Sequence, residues 1–290
     1  MPVAAYPSWL PGVLRSKRRR QAPPWAMVGA RRGPGYMLAI STVPPVFFDV
    51  EWLLTGSQAL LFKLWFETVI ARGAAPFTIF LRTEFGMLEH QVQMLPDSLL
   101  PAQEQGGTWR YSATLMAAAQ IIPTEGLALA TGLTTDYPAA LPGVAQAGKR
   151  RDRDASFSVP QPDAGASQAE ATGTDRPVTW AVQWVCNAAQ AQLLQAWFVV
   201  TLDRGRLGFR MPIRTEFGLL WHACRFMPDG LLSASQDGEV WRYSATVQAR
   251  SESIPASVLS AAPLLLALGP EWEAWGSLLD VVITATIPET

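Results

Sequence analysis

Trp109-Arg-Tyr-Ser-Ala-Thr114 and Trp241-Arg-Tyr-Ser-Ala-Thr246 are one hexapeptide written twice, 132 positions apart (241 − 109). Within each, Trp, Tyr and Ala fall on one phase of a period-two alternation and Arg, Ser and Thr on the other, the pattern of a half-buried strand. The same offset holds upstream without a gap. Arg82-Thr-Glu-Phe-Gly86 returns as Arg214-Thr-Glu-Phe-Gly218, and Leu61, Trp65 and Phe66 return as Leu193, Trp197 and Phe198. Trp52 matches Trp184, and Ile122-Pro123 matches Ile254-Pro255. About 30 of the roughly 70 positions so aligned are identical, which marks a tandem duplication and sets the fold problem as one unit solved twice.

The duplication also reaches toward the N-terminus. Lys17-Arg18-Arg19 stands at the same offset from Lys149-Arg150-Arg151, while Leu10-Pro-Gly-Val13 and Leu141-Pro-Gly-Val144 match with a shift of one. The polar stretch 145–177 therefore corresponds to the start of a copy, and the joint is expected where Gly, Thr and Pro cluster at 126–142. The organisation expected is a first copy over 1–135 with a basic arm and a core at about 44–123. A second copy follows over 136–258, with a polar arm at 145–177 and a core at about 176–255, and then a C-terminal extension, 259–290, without a clear twin.

Each copy reads as strand, helix, hairpin, loop, strand. Val46, Phe48, Val50 and Trp52 alternate with polar positions, as do Val178, Trp180, Val182 and Trp184. Two adjoining rows at helical spacing follow, Leu61-Trp65-Val69 and Phe62-Phe66-Ile70, which predict a helix with a wide apolar face lying on a sheet. Gly73 and Gly205 are placed as helix stops. Phe77-Ile79-Leu81 and Leu88-His90-Val92 then alternate around the Glu84-Phe-Gly86 turn. The fold class expected is α+β, with two tandem copies of a mainly antiparallel sandwich or barrel-like domain, each flanked by one helix. In the extension, Val281 to Ile287 looks strand-like.

Composition narrows the function. Formal charge is −1, so no global field draws the chain to nucleic acid or membrane. No apolar run reaches the ~18 residues that suggest a membrane-spanning helix, and Met1 to Leu10 lacks a signal-peptide core. Two cysteines, Cys186 and Cys224, support neither a disulfide framework nor a zinc site, and both stand where the first copy has Leu54 and Val92. These features predict a soluble chain made in a reducing compartment. Twelve Trp and twelve Phe give a heavy aromatic load, suited to wide packing surfaces.

No constellation carries chemistry convincingly. The two histidines, His90 and His222, lie on the apolar phase of their strands and read as inward side chains. Glu84 and Glu216 supply one carboxylate per copy, whereas a glycosidase needs two facing one substrate; they read as parts of a hairpin turn with Phe85 or Phe217 as its plug. No catalytic residue, metal site or cofactor is expected. The candidate contact residues are Arg18, Arg19 and Arg20 in the first arm, Arg150 and Arg151 in the second, and Trp221, Trp272 and Trp275. The basic arms offer contact with phosphate, as in DNA, or with acidic neighbours, and Asp152 and Asp154 within the second run favour the latter. Trp221 replaces Glu89 on an outward phase, which points to an interface.

The succession of these residues, from the Val-x-Trp strand through Gln-Ala, Trp-Phe, Gly73-Ala-Ala-Pro-Phe77 and the strand with His90 to Trp-Arg-Tyr-Ser-Ala-Thr, resembles a group of bacteriophage tail-associated virion proteins. There the unit usually occurs once; Gly205-Arg-Leu-Gly-Phe209 departs from the pattern. The resemblance implies a tail-tube-like domain and a non-enzymatic structural role in a tail hub, baseplate or neck ring. The protein would be assembled in the host cytoplasm and packed against copies of itself and other virion proteins as a homo-oligomeric ring. Three chains would make a ring of pseudo-sixfold symmetry. The competing expectation is a receptor- or glycan-binding module of the virion that uses exposed tryptophans.

Overall fold

The computed structural model describes residues 3–14, 17–28, 36–98, 101–153, 155, 157–159, 169–171 and 177–268. Trp272, Trp275 and the strand-like Val281 to Ile287 lie outside the described residues.

Four short strands open the chain: β1 (Ala4–Ala5), β2 (Lys17–Gln21), β3 (Trp25–Val28) and β4 (Tyr36–Ala39). The first core follows as β5 (Val46–Thr55), α1 (Gly56–Thr68), β6 (Phe77–Thr83), β7 (Gly86–Met94), β8 (Ala102–Gln105), β9 (Thr108–Ala117) and α2 (Thr124–Ala128). Next come β10 (Arg150–Arg153), β11 (Phe157–Ser158) and β12 (Glu170–Ala171). The same order then recurs as β13 (Val178–Cys186), α3 (Ala188–Ala196), β14 (Phe209–Thr215), β15 (Gly218–Phe226), β16 (Ser233–Asp237), β17 (Val240–Ala249) and α4 (Ala256–Leu268).

Among the described residues the protein is mostly β with few helices, and thirteen strands join in one large mixed sheet. Its backbone order is β1-β6-β7-β9-β5-β2-β16-β17-β13-β10, with β8 on β9, and β15 joining β14 to β17. The parallel pair in it is β1 with β6; the others are antiparallel. Of the sandwich or barrel-like alternatives, a closed barrel is not formed among the described residues: the sheet is open, its main order ending in β1 and β10.

The alternation seen in the sequence becomes burial. Val46, Phe48, Val50, Trp52 and Leu54 all face inward from β5, paired along its whole length with β9. The loop expected between hairpin and last strand contains a further strand, β8 or β16, too short and polar to announce itself by periodicity. Asn187 caps α3 by accepting from the Gln190 amide, and the Gln190 side chain accepts from the Asn187 amide, so two otherwise orphaned donors are satisfied. Gly205 ends the following turn at φ +84°, a conformation that costs residues with a Cβ.

Buried apolar side chains fall into two clusters. One gathers Trp52, Phe62, Trp65 and Phe77 with their neighbours; the other gathers Trp180, Trp184, Trp197, Phe209 and Phe226. The helix rows are covered unequally. Phe62, Trp65, Phe66 and Ile70 are buried, but Leu61 and Val69 are exposed, so the buried face of α1 is narrower than the two rows predict. The region 126–142 is not a bare spacer. Tyr137 stacks edge-on against Trp197 at 5.7 Å and donates to the Pro142 carbonyl at 2.6 Å, as Tyr6 does with Trp65 (5.5 Å) and Pro11 (2.6 Å). Helix α4 begins 132 positions after α2 (256 − 124), within the second copy, and runs on into the extension.

Candidate assembly interface

The residues of the basic arms enter the sheet as strands. β2 runs antiparallel to β5, with Arg19 opposite Phe48, and β10 runs antiparallel to β13, with Arg151 opposite Trp180. These registers are the same once the offset of 132 is applied. The inward phase of a five-residue strand with four polar cations cannot be apolar, so Arg19 takes its charge into the sheet and must be neutralised there.

Glu84 does this. Arg19 Nη1 donates to Glu84 Oε2, and Nη2 donates to Glu84 Oε1 at 2.6 Å, a two-pronged pair with side chains 9% and 0% exposed. What seals the pair comes from the second copy. Arg19 Nη2 also donates to Gln195 Oε1 at 2.9 Å, the Tyr243 hydroxyl donates to Glu84 Oε1, and Gln192 donates to the Glu84 carbonyl at 2.9 Å. Gln195 in turn donates to Gln120 at 2.9 Å. Burial works to lower the Arg19 pKa, but the Glu84 carboxylate and the Tyr243 oxygen beside it together outweigh this, so the net shift is upward and the guanidinium stays charged. Burial, reinforced by the same carboxylate, raises the Tyr243 pKa well above the usual phenol value, so its hydroxyl remains a donor.

The equivalent pair in the second copy is open to solvent. Arg151 meets Glu216 at 2.6 and 2.8 Å and Glu252 at 2.5 Å, but Arg151 and Glu216 are 35% and 64% exposed. Hydrogen bonding to Glu216 raises the Arg151 pKa, and the guanidinium holds Glu216 below the ordinary carboxylate range.

The other edge of β2 pairs with β16, with Arg19 opposite Ala234, Arg18 opposite Ser235 and Lys17 opposite Gln236. One strand thus joins the strands of both copies of the repeat into a single sheet. Beyond it, Trp25 on β3 is fully buried within the second hydrophobic cluster, and β3 lies against the Pro228–Gly230 turn. Helix α2 packs on α3, and Arg82 reaches Glu239 at 3.2 Å.

No family model matches the chain, and the search of curated proteins finds no match.

The candidate residues are therefore divided by position. Arg18 is exposed and lines a cleft with Asp49, Glu51 and Asp97. Arg19 is buried in the ion pair, and Arg20 lies over the Phe47 ring at 5.3 Å. Arg150 is exposed beside Asp152 at 3.3 Å. Trp221 is 53% exposed, 6.0 Å beneath Arg210, which is itself held by Asp136 at 2.6 and 2.8 Å. His90 and His222 are buried, each with Nδ1 2.9 Å from the carbonyl two residues earlier. Among the described residues, no group of three or more His, Cys, Asp or Glu is placed to hold a metal ion. No described helix is long and apolar enough to cross a membrane.

Sequence reasoning missed Glu84 as the partner of Arg19, treating it as turn structure. A signal was present: Arg19 to Glu84 and Arg151 to Glu216 are both separated by 65 residues, and both members are retained through the duplication. It missed Gln192, Gln195 and Tyr243 for a different reason. The first copy has Leu60, Lys63 and Tyr111 there, so two of the three positions looked like ordinary divergence.

Proposed function

We propose that this chain is a structural virion protein of a bacteriophage tail, in a hub, baseplate or neck ring, that acts by packing against copies of itself and other virion proteins. On this reading it consists of two tandem copies of a tail-tube-like β-sandwich domain, each flanked by a helix, and it is not an enzyme. The observation that carries it is β2, a strand that sews two repeat units into one sheet while its arginine is locked between them. A chain whose own halves are joined by strand addition and a buried ion pair is built from a unit with two complementary sides, which suits ring assembly. The two separate hydrophobic clusters and the resemblance of the repeat to tail-associated proteins support the same reading.

The test is to probe purified particles of a phage encoding this chain by mass spectrometry and immunogold electron microscopy. Label confined to the tail or neck is expected; absence of the chain from intact particles refutes the proposal. Rings reconstructed from the purified protein should contain three chains, with six repeat units at one level. The glycan-binding alternative has one observation behind it, the exposed Trp221 beside Arg210 and Asp136. Quenching or a blue shift of tryptophan fluorescence by host-surface glycans, lost in Trp221→Ala, would favour it instead.

A further inference from the structure

We infer that β10 of one molecule adds to the free edge of β8 in another molecule of this chain, head to tail, in the register that β2 and β16 hold within one molecule. The inference rests on the self-assembly part of the function proposed above and not on the phage assignment.

The intramolecular contact between copies has two sides, and the molecule carries one unused example of each. β16 is covered by β2, whereas its counterpart β8 pairs, among the described residues, with β9 alone; β2 has partners on both edges, whereas its counterpart β10 pairs, among the described residues, with β13 alone. All four residues of β8 and all four of β10 are exposed, so each offers an unpaired row of backbone donors and acceptors. Moving the β2–β16 register by 132 sets Arg151 opposite Ala102, Arg150 opposite Gln103 and Lys149 opposite Glu104. The last of these brings opposite charges together.

Three observations away from the strands agree. Trp25 is fully buried in the second cluster, but Phe157, its counterpart at the same offset, is 53% exposed on the β11–β12 hairpin. The face of α3 that meets the first copy carries Gln192 and Gln195; on α1 the same face carries Leu60, 63% exposed, and Lys63, with Leu64 beside them 51% exposed. Finally, the Arg151–Glu216 pair repeats the two-pronged geometry of Arg19–Glu84 but is uncovered, with Arg151 also held by Glu252. Strand edge, aromatic arm, helix face and ion pair are all half-made, at β8 and α1 in the first copy and at β10, β11 and the Arg151–Glu216 pair in the second. One partner satisfies all four, and that is a second copy of the chain itself.

The contact is heterologous, so repeated addition either closes a ring or continues as a filament. Cysteine pairs read the register without disturbing the cores. Gln103→Cys and Arg150→Cys are prepared as separate proteins, mixed and oxidised; Glu104→Cys with Lys149→Cys is a second pair, and Arg18→Cys with Ser235→Cys in one chain is the control for geometry. The expected result is a disulfide-linked dimer in each mixture, absent when either variant is oxidised alone. A like-with-like dimer of Gln103→Cys overturns the inference, because it means the edge pairs with itself. A wild-type protein that assembles by light scattering while neither mixture cross-links and the control does also overturns it, leaving self-assembly by another face. A wild-type protein monomeric at every concentration removes both this inference and the assembly reading.

Discussion

Replacing Glu84 by Gln keeps the side chain's shape but leaves the Arg19 guanidinium buried without its counter-charge. The carboxylate is fully buried and takes two bonds from Arg19 and a third from Tyr243. Stranding one member of such a buried pair costs about 3–5 kcal/mol. Glu216→Gln is the internal control, since it breaks the same two-pronged bond at the equivalent position. There, Arg151 keeps Glu252 and both charges of the pair reach water, so the expected cost is about 0–1 kcal/mol. Urea unfolding of the dilute monomer, followed by tryptophan fluorescence, reads the two variants on one scale through midpoint and slope. Trp52 and Trp65 in the first cluster and Trp25, Trp180, Trp184, Trp197 and Trp241 in the second report either half of the sheet. Two variants that fall within about 1 kcal/mol of one another would refute the claim that the second copy seals the first copy's ion pair.

Three further outcomes follow from the same geometry. Trp25→Ala should cost about 3–5 kcal/mol by opening a cavity in the second cluster, while Phe157→Ala should leave monomer stability within about 0.5 kcal/mol; equal losses in urea unfolding would contradict the burial difference. His222 has its pKa lowered by burial, a shift that Lys149 assists and that the Leu220 carbonyl and Glu252 oppose. The unfolded chain therefore takes up this proton first, so the contribution of neutral His222 is intact above the ordinary histidine value of about 6.5 and is lost as pH falls through the lower folded value. The urea midpoint should drop between about pH 7.5 and pH 5, with a shallower slope in His222→Gln; identical slopes would exclude His222 as the source. Gly205→Ala should destabilise by about 2–4 kcal/mol, since it combines a left-handed backbone with an overpacked core: its Cβ would stand 2.8 Å from Phe198 and 3.2 Å from Leu231. An unchanged thermal midpoint would show that the turn relaxes freely.

The cores were legible because they obey local rules. Val46 to Leu54 and Trp109 to Leu115 alternate with period two, and the two-copy alignment doubles the signal for each strand. Outward Trp221 was legible too, from phase alone. The arms were not. Lys17-Arg-Arg-Arg-Gln21 has no apolar face, and its strand form is imposed by pairing with β5 and with residues more than 200 positions away. Nothing in the composition of Trp25 says that it packs in the far cluster instead of the near one. Leu61 and Val69 failed in the opposite sense, because helical spacing marks which side chains share a face but not how far the sheet beneath extends. The candidate interface was legible as a set of cations and illegible as a contact. Its decisive groups, Gln195 and Tyr243, are polar residues whose burial depends on what another part of the chain brings.

The shared strand also imposes an order on biosynthesis. Arg19 meets Ala234 across a separation of 215 residues (234 − 19), so β2 emerges from the ribosome long before β16 exists. At roughly 5–20 residues per second the wait is about 10–40 s. Once Glu84 has followed, 65 residues behind Arg19, β2 can hold to β5 on one side only until β16 is made, with Trp25 and the Arg19–Glu84 pair uncovered. Nascent chains on one messenger would present identical unsatisfied edges to one another, which favours domain exchange between neighbours over capture in cis unless translation keeps them apart. Slowing elongation through the segment between the copies should therefore lower the yield of correctly closed chains, a kinetic vulnerability written into the order of the strands.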